Sequence, residues 1–245
     1  MPPPPTRPPG RFRRADLLTS LLLVFPLLLV YQIGVLAVPE VYNGADMLTA
    51  RALQLLHGRI GLYLLLNGAL AAAFVITILV LRRRHTFSPR MFVPVLVESS
   101  LYAVSMGALI VFFMTQILHI SPSLSIGCAT AGGPDVGLIG KVILSFGAGV
   151  HEELVFRLIL FSAIAALGGR LLGLRRGWAL FWAYLASALL FSAAHHIIGG
   201  EPWRVGVFIY RVFCGLLFAR LFHLRGFAVA VYTHALYDVF VLVLH

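Results

Sequence analysis

The chain has 245 residues, of which 60% are hydrophobic and only 11% are charged. A soluble domain of this size carries about 25% charged residues, so the composition excludes a soluble globular protein and indicates an all-α polytopic membrane protein. The formal net charge of +10 does not indicate nucleic-acid binding, because the arginines cluster between apolar runs, as topology signals do.

The chain begins with a stretch rich in proline and arginine, and residues 1–16 are predicted to form a disordered cytoplasmic tail. The apolar run that follows, from Leu17 to Val38, is too long for the apolar part of a signal peptide and lacks a clear cleavage site. We therefore expect it to remain as a signal anchor. Residues 42–57 have an amphipathic pattern and are expected to lie along the membrane interface.

Seven runs are long enough to cross a bilayer as helices, which takes about 20 apolar residues. They are 17–38, 59–81, 91–118, 136–168, 177–198, 203–222 and 226–244. Arginine clusters precede the first run and follow the second, fourth and sixth, so all of them fall on one side of the membrane. Because arginine is enriched on the cytoplasmic side, the N-terminus is predicted to lie inside and the C-terminus outside.

The fourth run carries three ionisable side chains close together: Glu152, Glu153 and Arg157. A charge in the hydrocarbon costs about 3 kcal/mol on insertion scales, so such groups indicate a functional site. Residues four apart share a helix face, which predicts that Glu153 pairs with Arg157 while Glu152 projects elsewhere and serves the chemistry. Two alternatives stay open: Glu153 and Arg157 form only a structural ion pair, and Glu152 merely faces a wet cavity.

Two later runs carry histidines at the same spacing. Phe191 and His195 share a face of the fifth run, and His234 and Asp238 share a face of the seventh. If these faces converge with the fourth run, the site can deprotonate a water and stabilise the oxyanion that forms when the water attacks a carbonyl. His196 cannot face the same way as His195 and is expected to support the site or to lie at the interface.

Other charged residues also lie within apolar runs. Arg211, near the middle of the sixth run, needs a counter-charge, for which Glu153 and Asp238 are candidates. Glu98, near the start of the third run, is expected to extend its carboxylate to the interface. Supporting roles are predicted for Glu153, Arg157, His196 and Arg211.

The order of these motifs resembles a known family. Glu-Glu-x-x-x-Arg, then Phe-x-x-x-His, then His-x-x-x-Asn/Asp on successive spans is similar to the CPBP family of intramembrane proteases, which includes the CAAX-processing enzyme Rce1 and the bacterial Abi proteins. The segment Phe213–Ala219 resembles the glycine-bearing motif of that family. The resemblance covers about residues 136–245, predicted as the catalytic core behind an N-terminal membrane region at 17–135, and it implies a glutamic-type endopeptidase, with a myxosortase-like member as one possibility.

The resemblance also implies roles for individual residues. Glu152 and His195 would activate the water, and His234 and Asp238 would form or orient the oxyanion site. The last position is usually Asn in the family, and an ionised Asp cannot donate a hydrogen bond to an oxyanion. We therefore expect Asp238 to accept a hydrogen bond from His234, fix its tautomer and favour an imidazolium donor.

No cofactor is predicted, and zinc is the metal alternative. Glu152, His195 and His234 would supply three ligands and leave an open position, although no His-Glu-x-x-His helix demands a metal. Cys128 and Cys214 show neither ligand spacing nor a disulfide framework.

These features together predict a membrane-embedded peptidase. It would cleave a membrane-associated protein or a C-terminal anchor in a bacterial inner membrane, with the lipid bilayer as its surroundings and no nucleic-acid partner. The site is expected near the midplane of the membrane, opening to the outer face. A non-catalytic scaffold or immunity protein of the same fold is the first alternative, and a proton-coupled transporter is the second, although the inverted repeats usual in such transporters are not evident.

Overall fold

The computed structural model describes residues 15–37, 60–120, 137–198 and 202–244. Most of the predicted N-terminal tail, the amphipathic stretch at 42–57 and Cys128 lie outside the described residues. Within these ranges every regular element is helical, which confirms the predicted all-α class.

The helices follow the predicted apolar runs closely. The N-terminal helices are α1 (Leu17–Ala37), α2 (Ile60–Arg82) and α3 (Phe92–Phe112), the last preceded by a 3-10 turn at Pro89–Met91 and continued by a π-helical turn at Phe113–Ile117. The later helices are α4 (Leu138–Glu153), α5 (Ser162–Arg170), α6 (Arg176–Ile197), α7 (Val205–Arg225) and α8 (Phe227–Leu244). A π-helical segment at Leu154–Phe161 joins α4 to α5 without a break.

The described part of the chain has five helical stretches long and apolar enough to cross a membrane, which confirms an integral membrane protein. They are Leu17–Ala37, Leu64–Arg82, Pro89–Ile117, Arg176–Ile197 and Val205–Arg225, and a shorter apolar helix covers Phe227–Leu242. The predicted fourth run, which carries the ionisable cluster, is not among the five. The count of seven spans therefore stays a prediction.

Helix ends follow from local chemistry. Asp16 caps α1, since its side chain accepts a hydrogen bond of 2.7 Å from the backbone N–H of Thr19. Gly226, with a φ of 99°, ends α7, and its N–H donates to the carbonyls of Leu221 and Phe222. Because α8 begins at the next residue, the chain reverses at Gly226, which places α7 and α8 side by side.

Helix α8 lies at the centre and packs against α1, α3, α4 and α7. Two glycines let helix backbones approach closely, one between α4 and α8 and one between α7 and α6. A Cβ added at Gly149 on α4 would meet the Cβ of Ala235 on α8 at 2.8 Å, and one added at Gly215 on α7 would meet the Cα of Ala188 on α6 at 2.9 Å. These contacts draw together the helices that carry the ionisable residues.

Candidate active site

Three ionisable side chains from α4, α6 and α8 meet inside the bundle. The Oε2 atom of Glu152 lies 3.7 Å from Nε2 of His195 and 3.8 Å from Nε2 of His234. All three residues are at most 5% exposed. The structure thus brings together the carboxylate and the two imidazoles that the sequence placed on separate helices.

His195 is held by its own helix in one tautomer. Its Nδ1 lies 2.8 Å from the carbonyl oxygen of Phe191, one turn earlier on α6. Because a carbonyl only accepts hydrogen bonds, Nδ1 carries the proton. In the neutral ring Nε2 therefore presents its lone pair towards Glu152.

His234 is oriented by Glu153. Its Nδ1 lies 2.9 Å from Oε1 of Glu153, and the same oxygen lies 3.0 Å from Nη1 of Arg157. The predicted pairing of Glu153 with Arg157 is therefore present, and the pair is fully buried. The carboxylate of Glu153 therefore contacts both the guanidinium of Arg157 and the imidazole of His234. Because this contact is made at Nδ1, Nε2 of His234 is directed towards Glu152.

Aromatic rings enclose this charged network. The guanidinium carbon of Arg157 lies 4.3 Å from the ring centroid of Phe191 and 5.4 Å from that of Phe218. Its Nη2 donates to the carbonyl of Gly215 at 3.3 Å. His234 stacks on Phe218 with centroids 4.3 Å apart and an angle of 14° between the rings. The cation–π contacts hold the guanidinium of Arg157 in place. The stacking on Phe218 likewise limits rotation of the His234 ring.

Asp238 lies on the far side of His234 from Glu153. Its Oδ2 is 3.5 Å from Nε2 of His234, beyond the length of a good hydrogen bond. The short contact to the ring comes from Glu153, whereas the sequence interpretation assigned that orienting contact to Asp238. Asp238 instead faces the same nitrogen as Glu152.

The π-helical segment carries Arg157, and sequence reasoning missed it. π-Helical turns are rare and recur at functional sites. Two serines outside the segment donate to its carbonyls: the hydroxyl of Ser187 to the carbonyl of Phe156 at 2.8 Å, and that of Ser162 to the carbonyl of Arg157 at 3.3 Å. The only signal in the sequence is the pair of serines within apolar helices.

The remaining predicted residues occupy different surroundings. The ring of His196 packs on Trp203, with centroids 4.9 Å apart, and on Phe208, away from the contacts of His195. Arg211 is buried on α7 and interacts electrostatically with both His195 and Asp238. The carboxylate of Glu98 forms a two-point ion pair with Arg225, with a second contact of 2.8 Å, rather than extending to the interface alone.

In the ranges that the structure describes, no group of three or more His, Cys, Asp or Glu side chains has the arrangement of a metal site. The glutamate and the two histidines nevertheless have the donor chemistry that a zinc ion accepts. The zinc alternative stays a prediction.

The fold and the site define a helical membrane protein with a buried glutamate–histidine centre. A comparison with protein families finds a match over the segment that contains this centre. Residues 135–240 match the family described as type II CAAX prenyl endopeptidase Rce1-like. The match includes every ionisable residue of the site and confirms the resemblance to the CAAX protease family over this segment. The myxosortase-like subtype and the boundary between the two predicted regions stay predictions. No curated protein and no solved structure is significantly similar to the chain.

Proposed function

We propose that this protein is an intramembrane endopeptidase in which Glu152 activates a water molecule for attack on a peptide carbonyl. The convergence of Glu152 with His195 and His234 carries the proposal. Separations of 3.7 and 3.8 Å are too long for direct hydrogen bonds, but one water can contact all three groups. The match to a protease family supports the same reaction class.

Water activation uses the carboxylate and the first imidazole. Glu152 accepts a proton from the water, and Nε2 of His195, which presents its lone pair, accepts a hydrogen bond and holds the water in line. The hydroxide adds to the substrate carbonyl, and the proton on Glu152 passes to the amide nitrogen as the peptide bond breaks. Burial of the site keeps competing water away and strengthens each electrostatic contact.

His234 serves the oxyanion. Because Glu153 holds its Nδ1, a protonated ring presents Nε2–H towards the side on which Glu152 lies and donates to the developing negative charge. Asp238 and Arg211 balance the charge around this ring. Glu153 and Arg157 fix the orientation of His234 and do not touch the reacting atoms.

The substrate class is a membrane-associated protein cleaved within or beside its membrane segment or C-terminal anchor. The membrane helices and the protease family support this class. The arginine distribution supports an inner-membrane protein with its N-terminus in the cytoplasm.

The test is comparative membrane proteomics of strains that express the wild type or Glu152→Gln. We expect uncleaved precursors to accumulate in the variant strain, because the amide cannot accept the proton from water. His195→Gln should give the same precursors, and His196→Gln, on the neighbouring histidine, should not. Full processing by Glu152→Gln would contradict the proposal and favour a non-catalytic scaffold.

Metal dependence is tested separately with the purified active protein. We propose that the reaction proceeds without zinc, so cleavage should persist in a strong chelator and the protein should contain less than stoichiometric metal. Loss of cleavage in chelator with recovery on adding zinc would assign Glu152, His195 and His234 as ligands instead.

A further inference from the structure

A cavity lies apart from the glutamate–histidine centre. It has a volume of about 480 Å³ and lies between the end of α5, the start of α6 and the end of α7. Phe161 forms part of its wall, nine residues beyond Glu152 and so roughly 14 Å further along the helix. The volume falls within the range of about 300–1,000 Å³ that is common for ligand sites.

The lining combines an apolar wall with an arginine at the first residue of α6. Phe161, Phe222, Leu174 and Leu180 belong to the apolar wall, and Arg176 supplies the cation. The ring of His223, on α7, lies beside a later turn of α6, where its Nδ1 is 2.7 Å from the hydroxyl of Tyr184. None of the residues that line the cavity is acidic. Nearby, α5 ends at Arg170 and the loop before α6 carries Arg175, so the surroundings of Arg176 are also basic.

An apolar slot with a cationic rim matches an anionic amphiphile. The arginine-rich end is the one predicted to face the cytoplasm, where the membrane surface is negative and attracts basic residues. We propose that this cavity binds an anionic phospholipid, with an acyl chain against Phe161 and Phe222 and the phosphate at Arg176. A zwitterionic lipid has the same chains but no net charge for the arginine to neutralise.

Small residues create the space and provide the test. A Cβ added at Gly169, which lines the cavity, meets no atom within 4 Å, so a larger side chain can start there without a clash at its Cβ. Gly177 on α6 also has nothing within 4 Å of an added Cβ, and it is not among the lining residues. Arg175 and Arg176 form a second matched pair, because only Arg176 lines the cavity.

The experiment is native mass spectrometry of the purified full-length protein in detergent, titrated with dioleoylphosphatidylglycerol or dioleoylphosphatidylcholine. We expect one phosphatidylglycerol to bind preferentially. Arg176→Gln should weaken it about fivefold, the effect of one basic residue near an anionic headgroup. Gly169→Leu should abolish it by filling the slot, and Gly177→Leu should bind like the wild type. Arg175→Gln should weaken binding less than Arg176→Gln, because Arg175 does not line the cavity.

Three results would overturn the proposal. Equal binding of the two lipids would show that the headgroup charge plays no part in binding. Wild-type binding by both Gly169→Leu and Arg176→Gln would show that the lipid binds outside this cavity. Competition by glycerol 1-phosphate as effective as that by the lipid would show a site for free phosphate. Size-exclusion chromatography identifies a misfolded variant. Because the side chain of Arg176 is exposed, Arg176→Gln tests the proposal without altering the core.

Discussion

Gly149 tests whether the close approach of α4 to α8 sets the geometry of the site. The Cβ of an alanine at this position would lie 2.8 Å from the Cβ and 2.9 Å from the backbone nitrogen of Ala235. Carbon atoms in contact prefer separations of about 3.5–4.0 Å, so the two helices must move apart by roughly 0.7 Å. Ala235 follows His234 directly, and Glu152 lies one turn beyond Gly149, so this movement separates the two functional groups.

Two opposing effects fix the expected magnitude. Replacing a helical glycine by alanine stabilises a helix by about 1 kcal/mol, whereas overpacking a tight contact costs about 1–3 kcal/mol. We expect Gly149→Ala to lower the free energy of unfolding by roughly 1 kcal/mol. A displacement near 1 Å in a site can cost about 100-fold in rate, so cleavage should fall about 10- to 100-fold.

The assay compares cleavage rates and thermal unfolding of the purified variants in detergent. Gly68→Ala on α2 is the control, because an added Cβ at Gly68 meets nothing within 4 Å. It should leave cleavage unchanged and should not lower stability. Wild-type cleavage by Gly149→Ala would refute the reasoning, since it would show that the separation of α4 from α8 does not govern the reaction.

Three further predictions test the charged network and the histidine beside it. Arg157→Met leaves Glu153 buried without its cation and should cost about 3–5 kcal/mol, so an unchanged unfolding midpoint in detergent would contradict the ion-pair account. Asp238→Asn should retain cleavage, because the carboxamide keeps the size of the side chain and, unlike the carboxylate, can donate to an oxyanion. Asp238→Ala should lose at least about tenfold, and equal rates for the two variants would show that the side chain at this position has no role. The cleavage rate of His195→Gln should be lower than that of the wild type by about 100-fold or more, and the rate of His196→Gln should match the wild type. The reverse order would assign the functional role to His196.

The helices could be predicted because hydrophobicity and length determine them directly. The apolar runs coincide with the observed helices to within a few residues, and the spacing of Glu153 and Arg157 correctly predicts their contact at 3.0 Å. Same-helix contacts of this kind follow from helical periodicity alone.

Contacts between helices could not be predicted in the same way. Nothing in the spacing shows that Glu153 reaches His234 across the bundle, because that depends on the approach of α4 to α8 at Gly149. The pairing of Glu98 with Arg225 was missed for the same reason, since the two residues are far apart in the sequence. The π-helical segment at Leu154–Phe161 receives hydrogen bonds from two serines outside it, which a hydrophobicity pattern does not reveal.

The most direct measurement of the central claim is cleavage of an accumulated precursor by the purified protein in liposomes. The wild type should cut the precursor, and Glu152→Gln should be at least about 100-fold slower while still binding it, because only proton transfer from water is removed. Cleavage by Glu152→Gln at the wild-type rate would show that this carboxylate does not activate the attacking water.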